Sequence, residues 1–155
     1  MKTAFLSLLF VSSAFALDTQ SFKLTSGSNA CPAEITVIKT DNCLELSMLQ
    51  TDASVQMYEY CALNEAPVVT EVENEETKEI TTTVKAEVQI QNRYVYTETK
   101  TVQSANGVVT KTQYAERALA LSEKSAAMTV REREYALMQL PKAKTLACFY
   151  STDAE

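Results

Sequence analysis

The clearest pattern in the chain runs from Ile80 to Ile90. Even positions read Ile, Thr, Val, Ala, Val, Ile, while odd positions read Thr, Thr, Lys, Glu, Gln. A period of two over this length is the signature of a half-buried strand and excludes a helix, and it sends the even face to the core. A second alternation lies between Cys43 and Cys61. If this stretch is a hairpin turning at Asp52, then Leu44, Leu46, Met48, Tyr58 and Tyr60 share one face with Gln56 and want the same core. Cys43 then stands opposite Cys61, a position suited to a cross-strand disulfide, and Glu45 opposes Glu59, which strains the register.

Strand signals continue along the rest of the chain. Ser21–Thr25 alternates weakly, and Glu34–Lys39 is dense in β-branched residues. Val68–Val72 follows the break at Pro67, and Tyr94–Val102 carries β-branched and aromatic residues on both faces. Asn106-Gly107 is the strongest short hairpin signal; a type I′ turn there pairs Ala105 with Val108, Thr101 with Thr112 and Thr99 with Tyr114. The segment 114–128 supports two readings. As a hairpin turning at Glu123-Lys124 it aligns Leu121 with Ala126, Leu119 with Met128 and Glu116 with Arg131; as a short helix it has good propensity but a weak apolar stripe. Val130–Leu137, ended by Pro141, and Thr145–Tyr150 complete the set. The expected fold is mainly β, an antiparallel meander of about 8–10 strands curled into a closed or partly open barrel that hides its edges.

The amino terminus changes the picture of where this domain works. Lys2 precedes an apolar run that ends in Ala14-Phe15-Ala16, the pattern of a cleaved signal peptide over residues 1–16, with residues 17–155 as one domain. Removing 16 of the 155 residues leaves 139 and takes the net charge from −6 to −7, because Lys2 goes with them. The expected location is secreted or periplasmic, not membrane-inserted, and an acidic chain without a basic cluster is no partner for nucleic acid. Four cysteines in an exported chain read as two disulfides with three possible pairings, of which the hairpin favours Cys43 with Cys61, leaving Cys31 with Cys148. No metal site is expected, because the cysteines lack paired spacing and the chain has no histidine.

The same composition narrows the chemistry. Without histidine, and with its thiols oxidised, the chain lacks the usual general bases. Its two glycines form no phosphate loop, so no nucleotide cofactor is expected, and the chain reads as a non-enzyme. Glu45 and Glu59 are the one carboxylate pair the register assembles, and solvated glutamates are the simpler account of them. The acidic run Glu71–Glu79 reads as a solvated hairpin tip, since a calcium loop wants a glycine that is absent here. An exported antiparallel barrel of this length resembles the lipocalin and wider calycin architecture, although the first strand lacks the Gly-x-Trp signature of true lipocalins. That architecture implies a small apolar ligand held inside the barrel, with Tyr58, Tyr60, Tyr94 and Tyr96 as candidate lining residues. The alternative is a disulfide-clamped interaction or inhibitor module that presents the loops Ala66–Lys78 and Ser104–Val108 to an extracytoplasmic protein.

Overall fold

The computed structural model describes residues 18–153, so the expected signal peptide lies outside the described residues. Ten strands follow one another: β1 Asp18–Gly27, β2 Glu34–Lys39, β3 Leu44–Leu49, β4 Val55–Tyr60, β5 Val68–Glu73, β6 Ile80–Ile90, β7 Arg93–Gln103, β8 Val109–Leu121, β9 Ser125–Ala136 and β10 Lys142–Ser151. They form a single sheet in the order β4-β3-β2-β1-β10-β9-β8-β7-β6-β5, antiparallel throughout. The pairing of β1 with β10 joins the two ends of the described chain at the middle of the sheet. The edges, β4 and β5, are consecutive in sequence. The sheet is not closed into a barrel, because β4 and β5 do not pair. Instead the segment after β4 turns onto β6 through one parallel bridge, Leu63 with Glu87, supported by Asn64 N–H donating to the Glu87 carbonyl at 2.8 Å.

The β3–β4 hairpin takes the expected register, with Leu44 opposite Tyr60 and Leu46 opposite Tyr58. Glu45 and Glu59 stay directly opposed. They are tolerated because this face of the hairpin meets solvent, Glu59 being exposed and Glu45 half-exposed. The turn that enforces the register is held by Asp52, whose carboxylate accepts from Ser54 N–H at 2.9 Å and Ser54 Oγ at 2.6 Å. These bonds stabilise its charged form and hold its pKa below the ordinary value. Cys43 and Cys61 close the open end as a disulfide with Cα atoms 4.3 Å apart.

The second disulfide, Cys31–Cys148, ties the β1–β2 loop to β10 across 117 residues of sequence. Gly27 makes this contact possible. Its φ of +154° is costly for other residues, and a Cβ there would lie 2.6 Å from the Cys31 sulfur and 3.1 Å from the Ala147 carbonyl oxygen.

Segment 114–128 is the hairpin and not the helix. Leu121 pairs with Ala126, Leu119 with Met128 and Glu116 with Arg131. Burial of Leu119, Leu121, Ala126 and Met128 on one sheet face decides against the helical propensity of the alanines. The Asn106-Gly107 turn differs from the expected two-residue form. Thr101–Thr112 and Thr99–Tyr114 pair as expected, but the register shifts by one toward the tip, so that Gln103 faces Val109. Only Gly107 of the pair has positive φ, and its N–H donates to the Ser104 carbonyl at 2.9 Å. This is a three-residue loop with a glycine bulge, in which the serine side chain also bonds the Val108 carbonyl at 3.0 Å.

The core occupies one end of the sheet. Phe22, Ile35, Val37, Leu44, Leu46, Met48, Tyr60, Tyr94, Leu119, Leu121, Met128 and Tyr150 cluster on the concave face of eight strands. Fully burying each large apolar side chain contributes about 1.5–3 kcal/mol. The even face of β6, expected to join this core, does not. Gln89 lies opposite Tyr94 and Glu87 opposite Tyr96, so the odd residues share the core side, while Val88 and Ile90 are exposed on the other face. Beyond this end the sheet continues without a core: no residue from Val95 to Arg117, or from Thr129 to Ala147, is buried.

Candidate interaction surface

The four candidate tyrosines fall into two pairs. Tyr60 and Tyr94 are in the core, and burial raises the pKa of both hydroxyls; for Tyr60 the Arg117 charge opposes the shift. Tyr58 and Tyr96 lie in the next layer, where Arg117 of β8 stacks over the Tyr58 ring at 3.4 Å from its centroid and lies 5.9 Å from that of Tyr96. Tyr96 Oη donates to Glu98 Oε2 at 2.6 Å, and burial together with that bond raises its pKa. Arg117 is therefore the centre of a stacked layer that seals the apolar end from the charged end, a role the sequence reading missed. The signal was its place in register, directly opposite Tyr96.

Among the described residues, two core hydroxyls, those of Tyr60 and Tyr150, have no hydrogen-bond partner. Burial pushes the Tyr150 pKa up to about 12. The two residues are on β4 and β10, and each leaves a polar atom within an otherwise apolar cluster.

Past the stacked layer, the concave face becomes a ladder of ion pairs. Glu98 takes Lys100 at 2.8 Å and Lys85 at 3.9 Å, and Glu134 takes Lys111 at 3.0 Å and Lys142 at 3.6 Å. Gln113 Nε2 donates to Glu134 at 2.8 Å. The lysine bonds come first among the causes that lower the pKa of Glu98 and of Glu134. An open groove of about 520 Å³ runs over this ladder, and another of about 580 Å³ lies at the Cys43–Cys61 rim beside Asn64, Gln89 and Tyr94. Among the described residues no cluster of three or more Cys, Asp or Glu side chains could hold a metal. Glu45 and Glu59 line neither groove.

The far end of the sheet is made by three hairpin tips side by side, those of β5–β6, β7–β8 and β9–β10. Ile80 pairs with Gln103, Gln103 with Val109, and Leu137 N–H donates to the Thr110 carbonyl at 2.8 Å, so the three tips stand level. The first tip is acidic. Asn74 Oδ1 accepts from Glu76 and Thr77 N–H at 2.9 and 3.1 Å, and Glu73, Glu75, Glu76 and Glu79 surround the single Lys78. The β9–β10 tip is apolar, and the uncharged middle tip ends in Val108 and Val109. Met138 is 97% exposed and Leu140 88%, and Leu137, Val108, Val109 and Tyr135 are exposed beside them. Met138 also holds a φ of +61°, unusual outside glycine and asparagine. The loops expected at Ala66–Lys78 and Ser104–Val108 thus contribute two of the three tips. The third was hidden because its apolar residues read as the continuation of a strand up to Pro141.

β5 is exposed along its whole length and its outer edge is unpaired. No protein-family model matches the chain, and no curated protein or solved structure matches it either. Among the described residues no helix is long and apolar enough to cross a membrane.

Proposed function

We propose that this protein is an exported, non-enzymatic interaction module that engages another extracytoplasmic protein through the tips and edge at the coreless end of its sheet. The observation that carries this reading is Met138, an almost fully exposed apolar side chain on a left-handed backbone, set among five further exposed apolar residues. Solvent-facing apolar clusters of this kind are unfavourable for a free monomer and mark sites of contact. The two disulfides support an oxidising compartment, secreted or periplasmic. The curled sheet, with β1 paired to β10 and residues Ala62–Asn64 after β4 bonded to β6, serves as a partly open barrel of calycin-like architecture, a rigid base for the tips.

The test is photo-crosslinking from a reactive residue placed at Met138, with Glu45 as the control position on the opposite end. Protein adducts at 138 and none at 45 are expected; equal or no labelling at both would sink the reading.

A second reading keeps a small apolar ligand inside the curl. It is favoured by the unpartnered Tyr60 and Tyr150 hydroxyls, which a polar group on such a ligand would satisfy.

A further inference from the structure

Of the two edge strands, β4 commits its inward side chains to the interior, where Tyr60 is buried and Tyr58 stacks against Arg117. β5 has no such commitment. It is paired to β6 alone, every residue from Val68 to Glu73 is exposed, and among the described residues its backbone bonds nothing on the outer side. An open edge ordinarily carries a guard, such as a lysine, a proline or a bulge. β5 keeps unbroken register with β6 along its whole length and holds neither lysine nor proline. Its row of free donors and acceptors dictates the conformation of what binds there, an extended strand.

The side chains dictate the sequence of that strand. Val68, Thr70 and Val72 stand on the concave face beside Lys85, Thr83 and Thr81, whereas Val69, Glu71 and Glu73 stand on the convex face beside Val84, Thr82 and Ile80. The convex set has no cation beside it on β6. Glu71 accepts from Thr82 Oγ1 at 3.3 Å, and Glu73 is paired at 3.2 Å with Lys78 of the adjoining tip, both side chains more than half exposed. From Val68 to Glu79 the chain carries five glutamates against this one lysine. A second copy pairing edge to edge about a two-fold axis normal to the sheet would keep each face on its own side. Glu71 and Glu73 of both copies would then crowd one face, an unfavourable contact. An anionic lipid surface is opposed for the same reason. We infer that β5 takes an extended basic segment of another protein as a further strand of the sheet. That segment carries lysine or arginine at positions i and i+2 against Glu71 and Glu73, and apolar residues at the alternate positions against Val68 and Val72. This partner class rests on the interaction-module reading and names what the open edge of that module takes.

The test is an NMR titration of the isotope-labelled, oxidised chain with the capped peptide Thr-Val-Lys-Val-Lys-Val-Thr. Saturable shifts of the Val68–Glu73 amides and of their β6 partners are expected. The same peptide with glutamate in place of both lysines should bind about tenfold more weakly. N-methylation of alternate peptide nitrogens separates the two sides of an added strand: methyls in one frame face β5 and abolish binding, and methyls in the other face solvent and leave it. Glu71→Lys with Glu73→Lys should turn the preference toward the glutamate peptide, a gain that also shows the variant is folded. No shift at β5, equal binding of both peptides, or indifference to the methylated frame overturns the inference. Shifts at β5 that grow with protein concentration alone overturn it in favour of a second copy. Adducts at position 138 in a chain whose β5 ignores the lysine peptide remove the basic strand and leave the interaction-module reading standing. Binding at β5 without adducts at 138 keeps the strand and removes the tips from that reading, whereas loss of both removes both.

Discussion

At the scale of single residues, the tyrosines report most directly on how the apolar end is built. Tyr60, Tyr96 and Tyr150 sit where ionisation is opposed by burial, so their folded-state pKa values lie above the ordinary value of 10.0, about 12 for Tyr150. A group whose pKa is raised on folding contributes stability that is whole below its unfolded pKa and is lost as pH rises through the folded one. Unfolding midpoints should therefore hold up to about pH 10 and fall between there and about pH 12, with tyrosinate absorbance rising in step with unfolding. Full tyrosinate formation near pH 10 in a chain that stays folded would contradict this burial. The sequence nominated Tyr58, Tyr60, Tyr94 and Tyr96, and all four belong to or pack against the core cluster. It could not show that Arg117 would divide them, because that depends on pairing between β7 and β8 and on the approach of β4 from the far edge.

Among the elements, legibility followed the strength of local constraint. The β3–β4 register was readable because two cysteines at mirrored positions and an Asp-Ala-Ser turn agree with the apolar alternation. The β8–β9 hairpin was readable for the same reason, apolar opposite apolar and Glu116 opposite Arg131, which lie 3.3 Å apart. The facing of β6 was not. Its even residues are the more apolar set, but a strand takes the face its neighbours dictate, and Tyr94, Leu119 and Met128 turn Glu87 and Gln89 inward. The two disulfides act on different elements, with different expected effects. Cys43–Cys61 closes a hairpin of 18 residues, for which chain entropy gives roughly 3 kcal/mol, whereas Cys31–Cys148 closes 117 residues across the β1–β10 seam, for roughly 5 kcal/mol. Denaturant titration of the paired serine variants should show the greater loss for Cys31→Ser with Cys148→Ser. The opposite order would mean that the seam is held by strand pairing and packing alone.

On the scale of the whole molecule, the sheet is two regions with different jobs. One end has a packed core, two disulfides and a stacked arginine; the other has ion pairs, threonines and exposed tips, held by cross-strand pairing. The expectation of a closed barrel came from the need to hide edges, and the fold meets that need only in part. β4 is followed by a segment that covers the core end of β6, and β5 covers the rest of β6 while leaving its own edge open. A core is affordable at one end because its large side chains are concentrated in β1–β4 and the Leu119–Met128 hairpin, a distribution the alternation alone did not weigh. The central claim is that binding is carried by the exposed end and not by a chamber in the apolar end. Native mass spectrometry of the oxidised protein, purified without detergent, tests this most directly. The account predicts the bare chain and its complexes with other proteins; a small apolar molecule retained one to one and released only on unfolding would contradict it.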